Sequence, residues 1–327
     1  MVHIAFVIDP IETLNLKKDS TLAMIRAAQQ REWRISILEQ SDLVWDGERV
    51  TAFTRDLRLE DGFAKSLDPA QASSQWFQCA EEEALPLGEI NIVMMRKDPP
   101  FDMDYIYSTY LLERGQSEGA LVVNNPRSLR DCNEKFFATA FANFQPPSLV
   151  SSREDLLLAF HRKHHDVIFK KLDGMGGVGI FRASKSDPNV RVIVETLTDD
   201  GKRQIMAQKY IPEIVDGDKR ILLIDGEPLP YALARIPASG ETRGNLAAGG
   251  TGVGQPLSPR DKEIAEALGP ELRARGLMFV GIDVIGNYLT EVNVTCPTCI
   301  REIDASFGLD IAAMLLDAIE QKLRDAQ

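Results

Sequence analysis

Cysteine, positive charge and long apolar runs are all scarce in this chain. Four cysteines in 327 residues (Cys79, Cys132, Cys296 and Cys299) are too few for a disulfide-framed scaffold, and a chain this long buries a core without one. The first apolar run, residues 4–8, is too short for a signal peptide or a membrane span. No later run approaches the roughly 18 residues a spanning helix needs. The expectation is therefore a cytoplasmic protein with reduced thiols and no membrane partner. Lys and Arg number 37 against 49 Asp and Glu, so the net charge is -12 and no basic footprint for nucleic acid is expected. A polyphosphate ligand would have to be held by local cations, backbone N–H groups and metal ions. The 44% hydrophobic and 26% charged residues that remain are those of an ordinary globular protein.

The N-terminal third alternates strand and helix signals. Strands are expected over 3–8, 34–38, 90–95 and 121–124. Helices are expected from a cap at Asp19 or Ser20 to about Arg31, and over 105–115. That alternation implies a parallel sheet with helices on its faces. The polar stretch 46–85 gives no clear signal. Beyond it, 129–144 and 154–162 read as helices, 166–171 as a strand, and 173–179 as a glycine loop leading into a strand at 180–181. A P-loop or dinucleotide fingerprint would lead into a helix instead. Strands follow at 205–210, 220–224 and 229–236. A stretch of small residues over 237–254 comes next, then a helix from Ser258 that Gly269-Pro270 should interrupt. A strand pair at 280–285 and 289–294 precedes a closing helix from Asp310.

Three features carry chemistry. The glycine loop lets backbone N–H groups approach phosphate oxygens, although a plain turn has the same composition. Glu291 and Asn293 share one strand face, and their hard oxygen atoms suit Mg²⁺. A two-residue turn at Gly286-Asn287 would pair Asp283 with residue 290 and point it away from Glu291. A three-residue loop or a bulge would bring Asp283 opposite Glu291. The alternative for these carboxylates is a solvated strand face. Finally, Lys135, Lys170, Lys171, Arg220, Arg235, Arg243 and Arg301 adjoin these segments, as point charges or bidentate forks for phosphate and carboxylate. His161, His164 and His165 are read as solvated rather than metal-binding. The Cys296–Cys299 spacing lacks the second Cys or His pair of a zinc site.

Along nearly its whole length the chain resembles the prokaryotic glutathione synthetases, which are ATP-grasp carboxylate–amine ligases. The matching stretches begin with Asp9-Pro10, Lys17-Lys18-Asp19-Ser20 and Met95-Arg96-Lys97-Asp98-Pro99-Pro100-Phe101-Asp102. They continue with Asn125-Pro126, Ser128–Lys135, Leu172-Asp173-Gly174-Met175-Gly176-Gly177, Asp216–Arg220 and Ala234-Arg235-Ile236-Pro237. Gly240–Gly250, Glu291–Thr295, Pro297-Thr298 and Ile300-Arg301-Glu302 complete the order. Lys171 stands where the family usually has Pro, and Cys296 where it often has Ser.

The resemblance implies an α/β fold. An open, parallel, Rossmann-like N-terminal sheet over 1–124 would serve substrate binding and assembly. A central ATP lid would span 125–204, and a mixed-sheet C-terminal unit 205–327 would carry a mobile loop at 237–254. It implies that γ-L-glutamyl-L-cysteine is joined to glycine through an acyl phosphate, with two Mg²⁺ ions (Mn²⁺ able to substitute), in a homotetramer. Lys135 and Lys170 would hold ATP phosphates under the loop Asp173, Gly174, Met175, Gly176 and Gly177. Gln208, Lys209, Tyr210 and Ile211 would border adenine, with Asp218 near the ribose. Asp283, Glu291 and Asn293 would hold the metal, and Arg220 and Arg235 the acyl phosphate. Arg243, Gly244 and Asn245 belong to the lid over the substrate, and Arg301 would stand beside the same charge. Another ATP-grasp ligase, or a non-catalytic ATP-binding protein of the same fold, is the alternative. A dehydrogenase would need a G-x-G-x-x-G after its first strand, which is missing.

Overall fold

The computed structural model describes residues 1–73, 75–97, 100–244, 246 and 249–325, and among these the strands form three sheets. The first is built from β1 (His3–Val7), β2 (Arg34–Leu38), β3 (Leu43–Trp45), β4 (Val50–Leu59), β5 (Phe77–Pro86), β6 (Ile92–Met95) and β7 (Leu121–Val123). Its centre, β2-β1-β6-β7, is parallel, as the alternating strand and helix signals require. β1 is buried at every position, which fits a central parallel strand covered on both faces. The other edge is antiparallel: β4 pairs with β2, β3 and β5. This pair of ten-residue strands fills the stretch that gave no signal. A register shift between Arg55 and Leu57 breaks its two-residue period, and β5 is largely exposed and carries Glu81, Glu82 and Glu83.

Helix α1 (Ser20–Gln30) starts at Asp19, whose Oδ1 accepts from Thr21 N at 2.7 Å and Leu22 N at 3.1 Å. Such a cap contributes about 1 kcal/mol. α2 (Asp61–Ser66), α3 (Met103–Ser117) and α4 (Pro126–Asp131) complete this part. The helix expected over 129–144 is instead α4, a break, and a 3-10 segment Phe137–Phe144 kinked at Phe141.

The second sheet, order β10-β9-β11-β8, contains β8 (Ser148–Ser151), β9 (Val167–Lys171), β10 (Ile180–Ala183) and β11 (Ile205–Lys209). α5 (Glu154–His164) and α6 (Val190–Thr198) cover it around a core of its own, including Leu157, Phe169, Val194 and Ile205. His161, read as solvated, is buried there at 7% exposure and pairs through Nε2 with Ser184 O at 3.0 Å.

The third sheet, order β14-β13-β12-β15-β16, comprises β12 (Asp218–Ile224), β13 (Glu227–Ile236), β14 (Thr251–Pro256), β15 (Phe279–Ile285) and β16 (Tyr288–Asn293). Its pairings are all antiparallel rather than mixed, with two-residue links joining β12 to β13 and β15 to β16. β14 occupies the end of the stretch expected to be a loop. α7 (Pro259–Ala274) runs straight through Gly269-Pro270. Its Gly269 lies so close to Gly226 that a Cβ would stand 2.3 Å from the Gly226 carbonyl oxygen, so packing fixes the helix there. α8 (Ile300–Phe307) and α9 (Ile311–Asp325) close the chain.

The first and third sheets share their apolar clusters. One joins Ile4, Phe6 and Leu22 to Leu222, Ile303 and Leu315. Asn124, after β7, stitches the two sheets: its amide donates to Phe279 O (2.7 Å) and Val294 O (2.8 Å) and accepts from Phe279 N (2.9 Å).

Candidate active site

A cavity of about 450 Å³ lies where the three sheets meet. Its floor is one face of the third sheet. Cross-strand register places Asp218 beside Arg235, Arg220 beside Asp283, and Asp283 beside Glu291. The hairpin turn has two residues, since Ile285 pairs with Tyr288 and Val284 with Leu289. A bulge at Thr290 then brings Asp283 opposite Glu291. Thr290 Oγ1 donates to Asp283 O at 3.1 Å and holds the bulge.

Asp283 is the electrostatic centre. Arg220 grips it in bidentate fashion (Nε to Oδ1 2.6 Å, Nη2 to Oδ2 3.0 Å), and Arg235 Nη2 lies 2.9 Å from Oδ2. Burial pushes this carboxyl up, but Arg220 and then Arg235 outweigh it and hold it well below the usual carboxylate range. Gly281 makes room for Arg220: a Cβ there would meet Arg220 Cδ at 2.9 Å. Asp218 accepts from Arg235 at 2.5 Å, yet burial comes first and nearby Asp283 and Glu291 add to it, so its carboxyl is pushed up to about 7. Its Oδ1 is buried without a partner.

The opposite wall comes from the second sheet and the 133–135 segment. On β9, Ile168 and Lys170 face the cavity, while Lys171 turns away and packs against Gly179. Lys170 is 4% exposed and lies 3.5 Å from Glu291 Oε1; burial lowers its pKa. Lys135 lies 3.6 Å from the same oxygen, donates to Gly174 O at 2.6 Å and pairs with Glu134. Burial opposes the Lys135 charge, but Glu291 and Glu134 outweigh it. The glycine loop depends on Gly176 and Gly177, at φ +59° and +84°. Arg243 reaches across to Gly177 O at 3.4 Å, and the 237–254 segment thereby touches the glycine loop. Gln208, Lys209, Tyr210 and Ile211 line the same wall, with Ile168 and Ile180 giving it apolar surface that suits a flat base and Ile285 facing it from the third sheet.

Of the remaining expected residues, Met175 and Gly244 line the cavity. Asp173 is exposed and borders a smaller pocket with Phe101 and Asn133. Asn245 lies outside the described residues. Arg301 stands elsewhere than expected: its guanidinium donates to Leu16 O and to Leu67 O (2.6 Å), bracing α8 against the first sheet's loops. Sequence reasoning did not single out Glu134, Arg96 or Glu302, which also line the cavity. Arg96 directly follows the carboxyl end of β6, where open α/β sheets bind ligands, and that position was the available signal.

The donor set fits a divalent cation. Glu291 and Asn293 offer hard oxygens to the cavity, and the partnerless Asp218 Oδ1 is a further one nearby; Asp283 would have to exchange its Arg220 and Arg235 partners to join them. Five buried cations line the cavity (Arg96, Lys135, Lys170, Arg220 and Arg235), with Glu134, Asp218 and Glu291 among the carboxylates that face them.

Comparison with known proteins accords with this geometry. The model of the prokaryotic glutathione synthetase N-terminal domain matches residues 2–130, and that of the prokaryotic glutathione synthetase ATP-grasp domain matches 134–308. The glutathione synthetase of Pseudomonas putida is 57% identical over 323 residues, 99% of both chains. That of Nitrosomonas europaea is 55% identical over 322 residues, 98% of both. Among solved structures, D-cycloserine synthetase aligns over 98% of this chain and 99% of its own at TM-score 0.67 and 13% identity. A RimK domain ATP-grasp protein from Sphaerobacter thermophilus aligns over 97% and 99% at TM-score 0.61 and 15% identity; both show the fold alone. With two domain models matched in order and relatives above half identity along nearly the entire length, the chain belongs to the prokaryotic glutathione synthetase family of ATP-grasp ligases.

Proposed function

We propose that the chain joins γ-L-glutamyl-L-cysteine to glycine with ATP, giving glutathione, ADP and phosphate. The observation that carries this reading is the one cavity in which Lys135 and Lys170, on one wall, face Glu291 on a floor that also carries Arg220 and Arg235. The cysteinyl carboxylate attacks the γ-phosphorus of ATP and ADP leaves. The glycine amine then attacks the acyl carbon, loses a proton, and phosphate departs.

Lys135 and Lys170 hold the phosphates, with the glycine loop 174–177 folded over them. The apolar wall beside Gln208–Ile211 takes the adenine, with Asp218 toward the ribose. Arg220 and Arg235 meet the developing negative charge, and their grip on Asp283 holds them in place before substrate arrives. Asp283, Glu291 and Asn293 would hold Mg²⁺, two ions by family expectation, with Mn²⁺ able to substitute. Such ions, when bound, would neutralise phosphate charge and polarise the transferred group. The segment 237–254 covers the acyl phosphate and excludes water. The central unit, expected over 125–204, acts as the ATP lid; the second sheet's separate apolar core supports this reading, and because that core includes Ile205 and Ala207 of β11 the unit runs past 204. Residues 1–124 contribute to substrate binding and assembly, and 205–327 carry the metal site. A homotetramer working in the cytoplasm is part of the same proposal. Among the described residues no helix is long and apolar enough to cross a membrane.

The test is ADP release with Mg²⁺, ATP, γ-glutamylcysteine and glycine, each omitted in turn, and product mass by spectrometry. A product of glutathione mass that needs all four supports the proposal. Turnover only with another acid or amine would retire it.

A further inference from the structure

Helix α3 carries large apolar side chains on the face that meets solvent as well as on the face that meets the core. Tyr105, Ser108, Thr109, Leu112 and Gly115 are buried. On the opposite side, at helical spacing, stand Met103, Tyr107 and Tyr110, each more than half exposed, with Arg114 continuing the stripe. A surface helix ordinarily turns charged residues that way. Strand β3 widens the patch: Val44 and Trp45 are exposed, and Arg114 lies over the Trp45 ring at 4.7 Å. Arg130 stands over Tyr110 at 4.3 Å. Tyr, Trp, Met and Arg are the residue types enriched in protein interfaces, where a ring buries its body and keeps its polar tip bonded.

The helix cannot rotate to bury the stripe. Gly115 lies so close to Leu87 that a Cβ would meet Leu87 Cδ2 at 2.3 Å. Ser108 Oγ donates to Asp104 O at 2.9 Å and accepts from Gln40 Nε2 at 3.0 Å, and Thr109 Oγ1 accepts from Arg130 Nη1 at 3.2 Å. Turning the helix would break these bonds and drive a side chain into Leu87.

The pattern also says what fits it. Met103 and Arg114 are equally far from the point between Ser108 and Thr109, and so are Tyr107 and Tyr110. A second α3 laid antiparallel across the first therefore sets Tyr107 level with the copy's Tyr110, and Met103 level with the copy's Arg114. Charge agrees with this arrangement. Asp102 caps the helix and Asp104 lies in its first turn, whereas Arg114 lies in its last. Antiparallel packing places the acidic end of each copy beside the basic end of the other and opposes the two helix dipoles. A surface that matches itself after a half-turn suits a two-fold interface.

We propose that the α3–β3 face binds the same face of a second copy of this chain, with the two α3 helices antiparallel across a two-fold axis. The proposal rests on the assembly reading given above and names the surface that carries it.

Sedimentation velocity over a concentration series is the test. Wild type should sediment as a dimer or an even multiple of one. Tyr107→Asp combined with Tyr110→Asp puts charge at the centre of the face and should raise the dissociation constant at least about 30-fold, the scale of an interface hot spot. Val192→Asp, at an exposed apolar position on α6, is the control and should leave association unchanged. Circular dichroism checks that each variant is folded. Cross-linking reads the orientation, with the exposed Cys79 first replaced by Ser. In that background Tyr107→Cys should form a disulfide-linked dimer under copper phenanthroline. Met103→Cys should not, because antiparallel packing keeps its two copies about 16 Å apart along the helix axis. A monomeric wild type overturns the face and the assembly reading together. An oligomer that survives the two tyrosine substitutions, or that Val192→Asp weakens equally, overturns the face and keeps the assembly reading. Equal cross-linking through Met103→Cys and Tyr107→Cys overturns the antiparallel arrangement.

Discussion

Asp283 and Glu291 face each other across the β15–β16 hairpin only because Thr290 is an extra residue in the ladder. With a two-residue turn and no bulge, Glu291 would stand on the far face. The bulge sets two carboxylates on one floor, and Arg220, Arg235, Lys135 and Lys170 gather around them.

Asp283→Asn should therefore be a stability change as well as a loss of activity. The substitution leaves Arg220 and Arg235 buried with their shared counter-charge removed. Breaking such a buried pair lowers stability by about 3–5 kcal/mol. Urea unfolding of the protein without ligands should show that loss, and turnover should fall by at least about 10³-fold, the scale of removing one electrostatic element of a site. Unchanged urea stability would mean that the arginines do not depend on Asp283.

The adjacent lysines of β9 should separate cleanly. Lys170 faces the cavity beside Glu291, whereas Lys171 packs its methylenes near Gly179. Lys170→Met should raise KM for ATP about 10- to 100-fold, consistent with losing a charged contact to phosphate. Lys171→Met should stay within about threefold, as expected of a half-exposed side chain. Steady-state kinetics with varied ATP decides it, and equal effects would place both lysines on the phosphates.

These two residues also show what the sequence could reveal. Alternation on a strand puts Lys170 and Lys171 on opposite faces, but only the sheet's neighbours say which face is the cavity. The parallel centre of the first sheet was legible because β1 and β6 are short runs, apolar apart from His3 at the start of β1. The β4–β5 pair was not, because its alternation is interrupted and its outer strand is polar. Pro270 predicted a helix break, and the contact between Gly269 and Gly226 overrode that local preference. Arg301 matched a family motif, yet its guanidinium was claimed by two backbone carbonyls. Local spacing carries no information on such a long-range partner.

Gly244 should not tolerate a side chain. A Cβ there would stand 2.4 Å from Arg235 O and 3.0 Å from Asp218 Cβ. Backbone cannot move aside as a side-chain tip can, so Gly244→Ala should push the 237–254 segment off the cavity floor. Loss of cover exposes the acyl phosphate to water. The expected outcome is a fall of about tenfold or more in peptide formed, with ADP released in excess of peptide. Gly240→Ala is the control for this loop, since nothing lies within 4 Å of its Cβ position, although its φ of +83° adds local strain. ADP and product assayed in the same reaction measure the ratio. A ratio of one in Gly244→Ala would show that the segment still seals the site.

Asp304, on α8 and outside the cavity lining, gives a pH signature independent of ligands. Its carboxyl is pushed up to about 6, by burial first; Ile311 N, which donates to Oδ1 at 3.0 Å, and Arg26 oppose the rise, while Asp310 adds to it. The sign follows from linkage. Between about pH 4 and 6 the folded protein keeps this proton and the unfolded chain, with its ordinary carboxyl, has lost it. The Asp304 contribution to stability therefore falls as pH rises through that window and is level above it. Asp304→Asn keeps an acceptor for Ile311 N and removes the titration. The melting temperature of the variant minus that of wild type should climb from pH 4 to about 6.5 and then flatten, because other titrating groups cancel in the difference. Melting curves that run parallel across the window would mean that Asp304 is hydrated and titrates at its ordinary value, and that the joint between α8 and α9 admits water.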